Sequence, residues 1–332
     1  MQELAALLQS AGVFKVEGRA QIFCTGDDRV RWLNGMVTNH VGALEKNRGC
    51  YAFVLNAQGR IQGDLNIYQH GDALWLDTDA AQVETLTTLL DRFIIMDDVT
   101  LTPAPPIARL GIAGPLAVSI LEKIGLDAKA LEPLELREQQ WNGAAATVVA
   151  SHGPLVPRYE IWIAPDEAQA LLQAALDAGA TECSAHAVEQ LRVLEGTLVY
   201  GKDISARDLP QETNQMRALH FSKGCYLGQE IVERIRSRGN VHRTLSGFRL
   251  DAALPTAGDV TEKTAVMAEG QAVGDITSAV SIVLPNGAEQ CFALGYIRRE
   301  VVDKKTPLEV KGIPATACGL PFRLQEIEVS RA

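Results

Sequence analysis

Leu4, Leu7 and Leu8 recur at helical spacing near the start of the chain and Gly12 follows as a stop, which predicts a short amphipathic helix over residues 4 to 11. The stretch AQIFCTG then reads as a strand, and Val30, Leu33 and Met36 mark the apolar stripe of a second helix. From residue 50 the period changes to two. CYAFVLN and RIQGDLNIY flank the turn signal AQG and lead into ALWLDTD, a pattern of antiparallel strands rather than a parallel crossover. Asp79 is placed to N-cap the helix that follows, with Val83, Leu86, Leu90 and Phe93 as its buried stripe.

The alternation then partly recurs, with IARLGIAG, a helix through Val118 and Leu121, strands near 146 to 150 and 158 to 163, and a helix near 166 to 178. Two related α+β lobes are expected, although no sequence repeat has a fixed period. After about residue 240, helical patterns give way to short strands separated by Gly and Pro (TLSGFRL, AVGDITSAV, CFALGYIRRE, TPLEV), which predicts a small barrel or sandwich. The expected division is residues 1–240 for the two lobes and 241–332 for a C-terminal β-barrel domain.

With 332 residues, 47% of them hydrophobic, the chain exceeds the size at which a single core stops growing, which fits two or three domains. A net charge of -10 argues against non-specific adhesion to nucleic acid. The six cysteines include no C-x-x-C pair, so neither a zinc ribbon nor a dense disulfide framework is indicated, and no metal site is expected. The apolar run at the N-terminus is too short for a signal peptide, and no stretch of 18 apolar residues occurs. A cytoplasmic protein without a membrane partner is expected.

The densest candidate chemistry lies in KGCYLGQEIVER, residues 223–234, where Gly224 and Gly228 bracket a Cys-Tyr pair. Lys223 and nearby arginines, Arg234 among them, would favour the thiolate of Cys225, and the glycines would let a ligand approach the backbone. Cys24, Cys50, Cys183 and Cys291 read as packing residues. His220 precedes Cys225 by five residues, a spacing that does not itself make a Cys-His pair. Along RIQGDLNIY, alternation sets Gln62, Asp64, Asn66 and Tyr68 on one face, which on its own predicts the solvent side of a half-buried strand. Glu195 ends the helical pattern Val188, Leu191, Leu194 with Gly196 as C-cap, within reach of Arg192 three residues earlier. Arg234, Arg236, Arg238, His242 and Arg243 form a basic run. It suits either the carboxylates of an anionic ligand or RNA phosphate, or is simply a solvated surface.

The motif KGCYxGQExxxR resembles the signature of the YgfZ-type folate-binding proteins, which belong to the aminomethyltransferase (glycine cleavage T-protein) superfamily. DRVRWLNGMVTN, YAFVLNAQGRIQGDL, RVLEGTLVYGKDI, GDITS and ALGYIRRE extend the resemblance over most of the chain. It implies an α+β fold of two interleaved α+β lobes followed by a C-terminal small β-barrel, in a three-domain arrangement around a central pocket. It implies tetrahydrofolate, or a one-carbon-substituted form, as cofactor, with Tyr51, Asp64, Tyr68, Glu195 and Arg234 as binding residues. Cys225, Lys223 and Asp64 are the implied reactive positions. The function implied is that of an accessory factor for iron-sulfur client proteins, indirectly supporting tRNA-modifying enzymes. Asp64 matches the catalytically important carboxylate of the transferases and supports an alternative, a folate-dependent aminomethyltransferase of the glycine cleavage type. A tRNA-binding module is a third reading, carried by the basic run alone.

Overall fold

A computed structural model describes residues 2–239, 241–254, 264–283 and 289–323. The first helix spans Gln2–Gln9 and buries Leu4, Leu7 and Leu8 as their spacing predicts. It ends before Gly12, which opens the strand Gly12–Lys15. A side chain at Gly12 would meet Leu7 and the Cys183 sulfur at 2.6 Å, so glycine is required there by close packing.

Five antiparallel strands form the first sheet, in the order Gly49–Leu55, Ile61–His70, Ala73–Asp79, Arg19–Thr25, Thr100–Pro103. The helix Arg29–Met36 buries Trp32 and Leu33 against it. Asp79 accepts the Ala81 amide at 2.8 Å and caps a single 3-10 turn, Ala80–Gln82, that winds into the helix Val83–Asp91. Phe93 departs from the expected stripe. It lies past the helix end, where its carbonyl accepts the Trp32 indole N–H, and its side chain is partly exposed.

The second sheet has six strands in the order Thr181–Glu182, Gly12–Lys15, Ala108–Ala113, Arg158–Ile163, Ala144–Ser151, Leu136–Trp141. An N-terminal strand thus sits inside the second lobe, and the two lobes interleave. The sheets face each other across side chains that alternation alone assigns to solvent. Tyr68 is buried edge-on against Trp162 with ring centroids 5.6 Å apart, beside Leu136 and Val149. Asp77 accepts Arg19 at 2.5 Å and pairs with Arg109 at 2.6 Å, and the Arg109 guanidinium lies 4.8 Å from the Trp162 ring centre.

Arg243–Leu250, Thr264–Ala268, Gln271–Val283, Glu289–Arg298, Leu308–Val310 and Ile313–Cys318 close into a barrel. Residues 324–332 of the expected barrel region lie outside the described residues. One hydrophobic cluster runs through all three sheets, taking Phe53 and Ile61 from the first, Phe14 and Ala113 from the second, and Phe292 and Leu294 from the barrel. Leu191 and Leu194 of the helix Ala185–Glu195 join it from the middle.

Arg192 of that helix donates from all five of its N–H groups. Nε and Nη2 bind the Glu189 carboxylate at 2.6 and 2.8 Å, Nη2 also reaches the Ser278 hydroxyl at 2.7 Å, and Nη1 binds the Thr197 carbonyl and Asp203, both at 2.6 Å. Asp203 is saturated in turn by Thr277, Ser278 and the Val199 amide. The conjunction explains why RVLEGTLVYGKDI and GDITS go together in one chain. Arg192→Met would leave Asp203 buried without its countercharge, and is expected to lower the unfolding free energy by about 3–5 kcal/mol, read from the denaturant midpoint.

Candidate functional site

The helix Ala185–Glu195 stops at Gly196, whose φ of +70° is the left-handed C-cap conformation. Glu195 therefore stands at an element end, but its partner is not Arg192. Arg158 Nη2 donates to Glu195 Oε2 at 2.7 Å. The Glu195 side chain is completely buried, and Oε1 has no hydrogen-bond partner among the described residues, although the Leu155 amide lies close enough to act on the carboxyl. Burial pushes the carboxyl up to about 7, against the opposing pull of Arg158. Glu195 lines a cavity of about 250 Å³ with His152, Thr197, Asn214, Gln215 and Arg217. Burial, and then the charges of Arg217 and Arg158, push His152 down to about 4, so at neutral pH it carries no charge.

Tyr51 and Asp64 face each other from paired strands, and the Tyr51 hydroxyl donates to Asp64 Oδ2 at 2.9 Å. Gln82 reaches Oδ1 at 3.5 Å. Burial raises the Asp64 carboxyl above its ordinary value, with Arg19 as the largest opposing influence. The Arg217 guanidinium lies over the Tyr51 ring at 4.0 Å, and Asn39 Nδ2 ties the Tyr51 and Arg217 carbonyls together. The Tyr51–Asp64 pair is thereby joined to the cavity that Glu195 lines. A second cavity, of about 540 Å³, shares Thr197 with the first, and its wall includes Arg19, Arg158, Arg192 and Glu160.

Of the expected cofactor residues, Tyr51 and Asp64 form a pair that Arg217 links to the cavity Glu195 lines, while Tyr68 and Arg234 have other partners. Tyr68 turns toward the second sheet, because the face it shares with Asp64 runs out of the cavity region and under Trp162. Arg234 lies on the exposed face of the helix Gln229–Arg238, paired with Glu230 at 2.6 Å. Elsewhere in the basic run Arg236 pairs with Glu233, and Arg243 with Asp208 and Glu212.

The signature loop is built differently from its charge pattern. Lys223 Nζ donates inward to the Asn34 and Val37 carbonyls at the C-terminal end of the helix Arg29–Met36, where a cation is favoured. Its thiol neighbour is Cys50 rather than Cys225, and burial draws the ammonium down to about 8. Gly224, at φ +94°, lets the chain turn between Lys223, which is buried, and Cys225, which is exposed. Gly228 is fixed by proximity: a Cβ there would lie 2.6 Å from the Asn56 carbonyl.

Arg158, Arg217, Arg19 and His152 belong to this site and were not legible in the sequence. Arg158 and Glu160 do alternate with Tyr159 and Ile161 in a buried strand, a faint sign of charges held between sheets.

An α+β protein with a closed six-stranded barrel and a central cleft is the class this geometry defines. The solved glycine cleavage system aminomethyltransferase T from Bartonella henselae has the same fold, with a TM-score of 0.82 over 99% of this chain and 90% of that one, at 19% identity. The family described as GCVT N-terminal domain matches residues 1–223, and the chain belongs to that family within the aminomethyltransferase superfamily. Relatives include the aminomethyltransferase of Geobacillus sp. (strain WCH70), 26% identical over 97% of this chain and 89% of its own length. That of Thermus thermophilus is 26% identical over 97% and 90%. No helix among the described residues is long and apolar enough to cross a membrane.

Burial raises Cys24, Cys50 and Cys183 to about 12 and Cys291 to about 11, while Cys225 is exposed. Timed alkylation with peptide mapping is therefore expected to modify Cys225 ahead of these four. Because Lys223 points inward, Lys223→Met should leave the Cys225 rate unchanged while lowering stability by about 1–2 kcal/mol through loss of a helix-terminal cation.

Proposed function

We propose that this protein binds a reduced folate of the tetrahydrofolate type in the cavity lined by Glu195, and that it belongs functionally with the aminomethyltransferases. The observation that carries the reading is Glu195, a residue lining the 250 Å³ cavity, whose side chain is wholly buried and whose Oε1 has no hydrogen bond of normal geometry among the described residues, the Leu155 amide being the donor besides Arg158 that acts on the carboxyl. Such a group costs about 1–3 kcal/mol until a donor reaches it. A pterin edge presents adjacent N–H donors and fits that need. When bound, the folate would supply the nitrogen that carries the one-carbon unit. Asp64, held by Tyr51 and Gln82, would orient that cofactor and stabilise positive charge developing beside it. Arg217, over the Tyr51 ring, would present a cation to the rest of the ligand.

Exposed Cys225 supports a second reading, the YgfZ-type accessory factor serving iron-sulfur client proteins. It sits in a loop whose lysine, glycines and tyrosine all serve folding, which leaves the thiol without a packing duty. The tRNA-binding alternative draws no support from a basic run whose Arg234, Arg236 and Arg243 are each paired with acids. We also keep the division at residues 1–240 and 241–332, and a cytoplasmic location, as parts of this proposal.

Calorimetric titration with tetrahydrofolate is expected to show binding, weakened by about 1.5–3 kcal/mol in Glu195→Ala. Absence of binding by folded protein would remove the central claim. If the protein replaces T-protein in a reconstituted glycine cleavage system, Asp64→Asn should abolish that activity while tetrahydrofolate still binds. If it does not, loss of iron-sulfur enzyme activity in Cys225→Ser cells would favour the accessory role.

A further inference from the structure

The two oxygens of Glu195 have different surroundings. Oε2 is taken by Arg158, whereas Oε1 has no hydrogen bond of normal geometry among the described residues, the Leu155 amide being the other donor that acts on the carboxyl. Arg158 opens the strand Arg158–Ile163 and sits in register opposite both Ala113 and Ser151, so its guanidinium is presented from the interior of a sheet. It lines the 540 Å³ cavity and Glu195 lines the 250 Å³ cavity, so their ion pair links the walls of the two, which also share Thr197.

We propose that Arg158 is the positioning residue of the ligand site: by occupying Oε2 it fixes the Glu195 carboxylate beside the smaller cavity and leaves Oε1 as the charged acceptor for an N–H donor ligand. The other charged or titratable groups near Glu195 do not substitute for it. His152 and Arg217 share the smaller cavity, but neither is bonded to the carboxylate. Arg192, on the same helix, is consumed by Glu189, Asp203, Ser278 and the Thr197 carbonyl. The identity of the ligand rests on the folate reading. The role of Arg158 toward Glu195 does not.

The test exploits pH. A carboxyl that titrates near 7 when folded, against 4.5 ordinarily, takes up a proton on folding between those values, so it lowers stability progressively as pH rises from about 4.5 to 7. In ligand-free protein, Glu195→Gln should abolish that slope. Arg158→Gln removes the opposing charge and should extend the slope upward by about 1–3 pH units. Tetrahydrofolate should then bind Arg158→Gln about tenfold more weakly than wild type at pH 7 and recover toward wild-type affinity by about pH 9, with Arg158→Lys losing much less. A merely structural role would weaken binding equally at every pH. An unchanged stability slope in Arg158→Gln would overturn the proposal. An extended slope in a protein that binds no tetrahydrofolate would sustain the role of Arg158 and remove the folate reading instead.

Discussion

Arg192 carries five N–H donors into an interior where water cannot serve them, and each must find an oxygen there. Glu189 supplies two from one turn earlier on the helix, the Thr197 carbonyl and Asp203 supply two from the loop that follows, and Ser278 supplies one from the barrel. No subset of these elements satisfies the guanidinium alone. The geometry of helix, loop and barrel is therefore specified together, and the cavity that Glu195 lines one turn further along inherits that precision. Such a network fixes one arrangement because any alternative strands a charge.

The same principle governs the space between the lobes. Asp64, Asp77, Arg19 and Arg109 lie on or between buried sheet faces, and their charges balance across the gap rather than toward solvent. Asp64 is held by a tyrosine hydroxyl and an amide, both neutral, whereas Asp77 has two arginines. Burial therefore dominates at Asp64 and raises its carboxyl. Two carboxylates of one interior thus have very different surroundings, and the one without a bonded cation, Asp64, is the one whose tyrosine partner lies under Arg217 of the cavity wall.

The signature loop shows how a motif can be specific without being reactive throughout. Lys223 completes a helix end, Gly224 makes a left-handed turn, Tyr226 is buried, and Gly228 clears the Asn56 carbonyl. Cys225, by contrast, is exposed. Charge proximity along the chain is a poor guide to charge proximity in space when a positive-φ glycine stands between the residues.

Local periodicity was enough to place the helices Gln2–Gln9, Arg29–Met36 and Ala185–Glu195, the antiparallel strands after residue 49 and the barrel after residue 240. Each of these is set by side-chain spacing and turn residues within a few positions. The resemblance of its motifs singled out Tyr51 and Asp64, which are bonded to each other, and Glu195, which lines a cavity linked to them through Arg217. What no local pattern could give is which faces are covered. Asp64 and Tyr68 share a strand face that reads as solvent-exposed, yet both are buried, one bonded to Tyr51 and the other under Trp162 of the second sheet. Gly12–Lys15 joins that second sheet from the far end of the chain, and Glu195 pairs with Arg158 rather than with Arg192. Those pairings are decided by where whole sheets dock, since a buried charge takes whichever partner the assembled interior brings within bonding distance. The sequence by itself determined the elements and the inventory of charges; tertiary packing decided which charges meet.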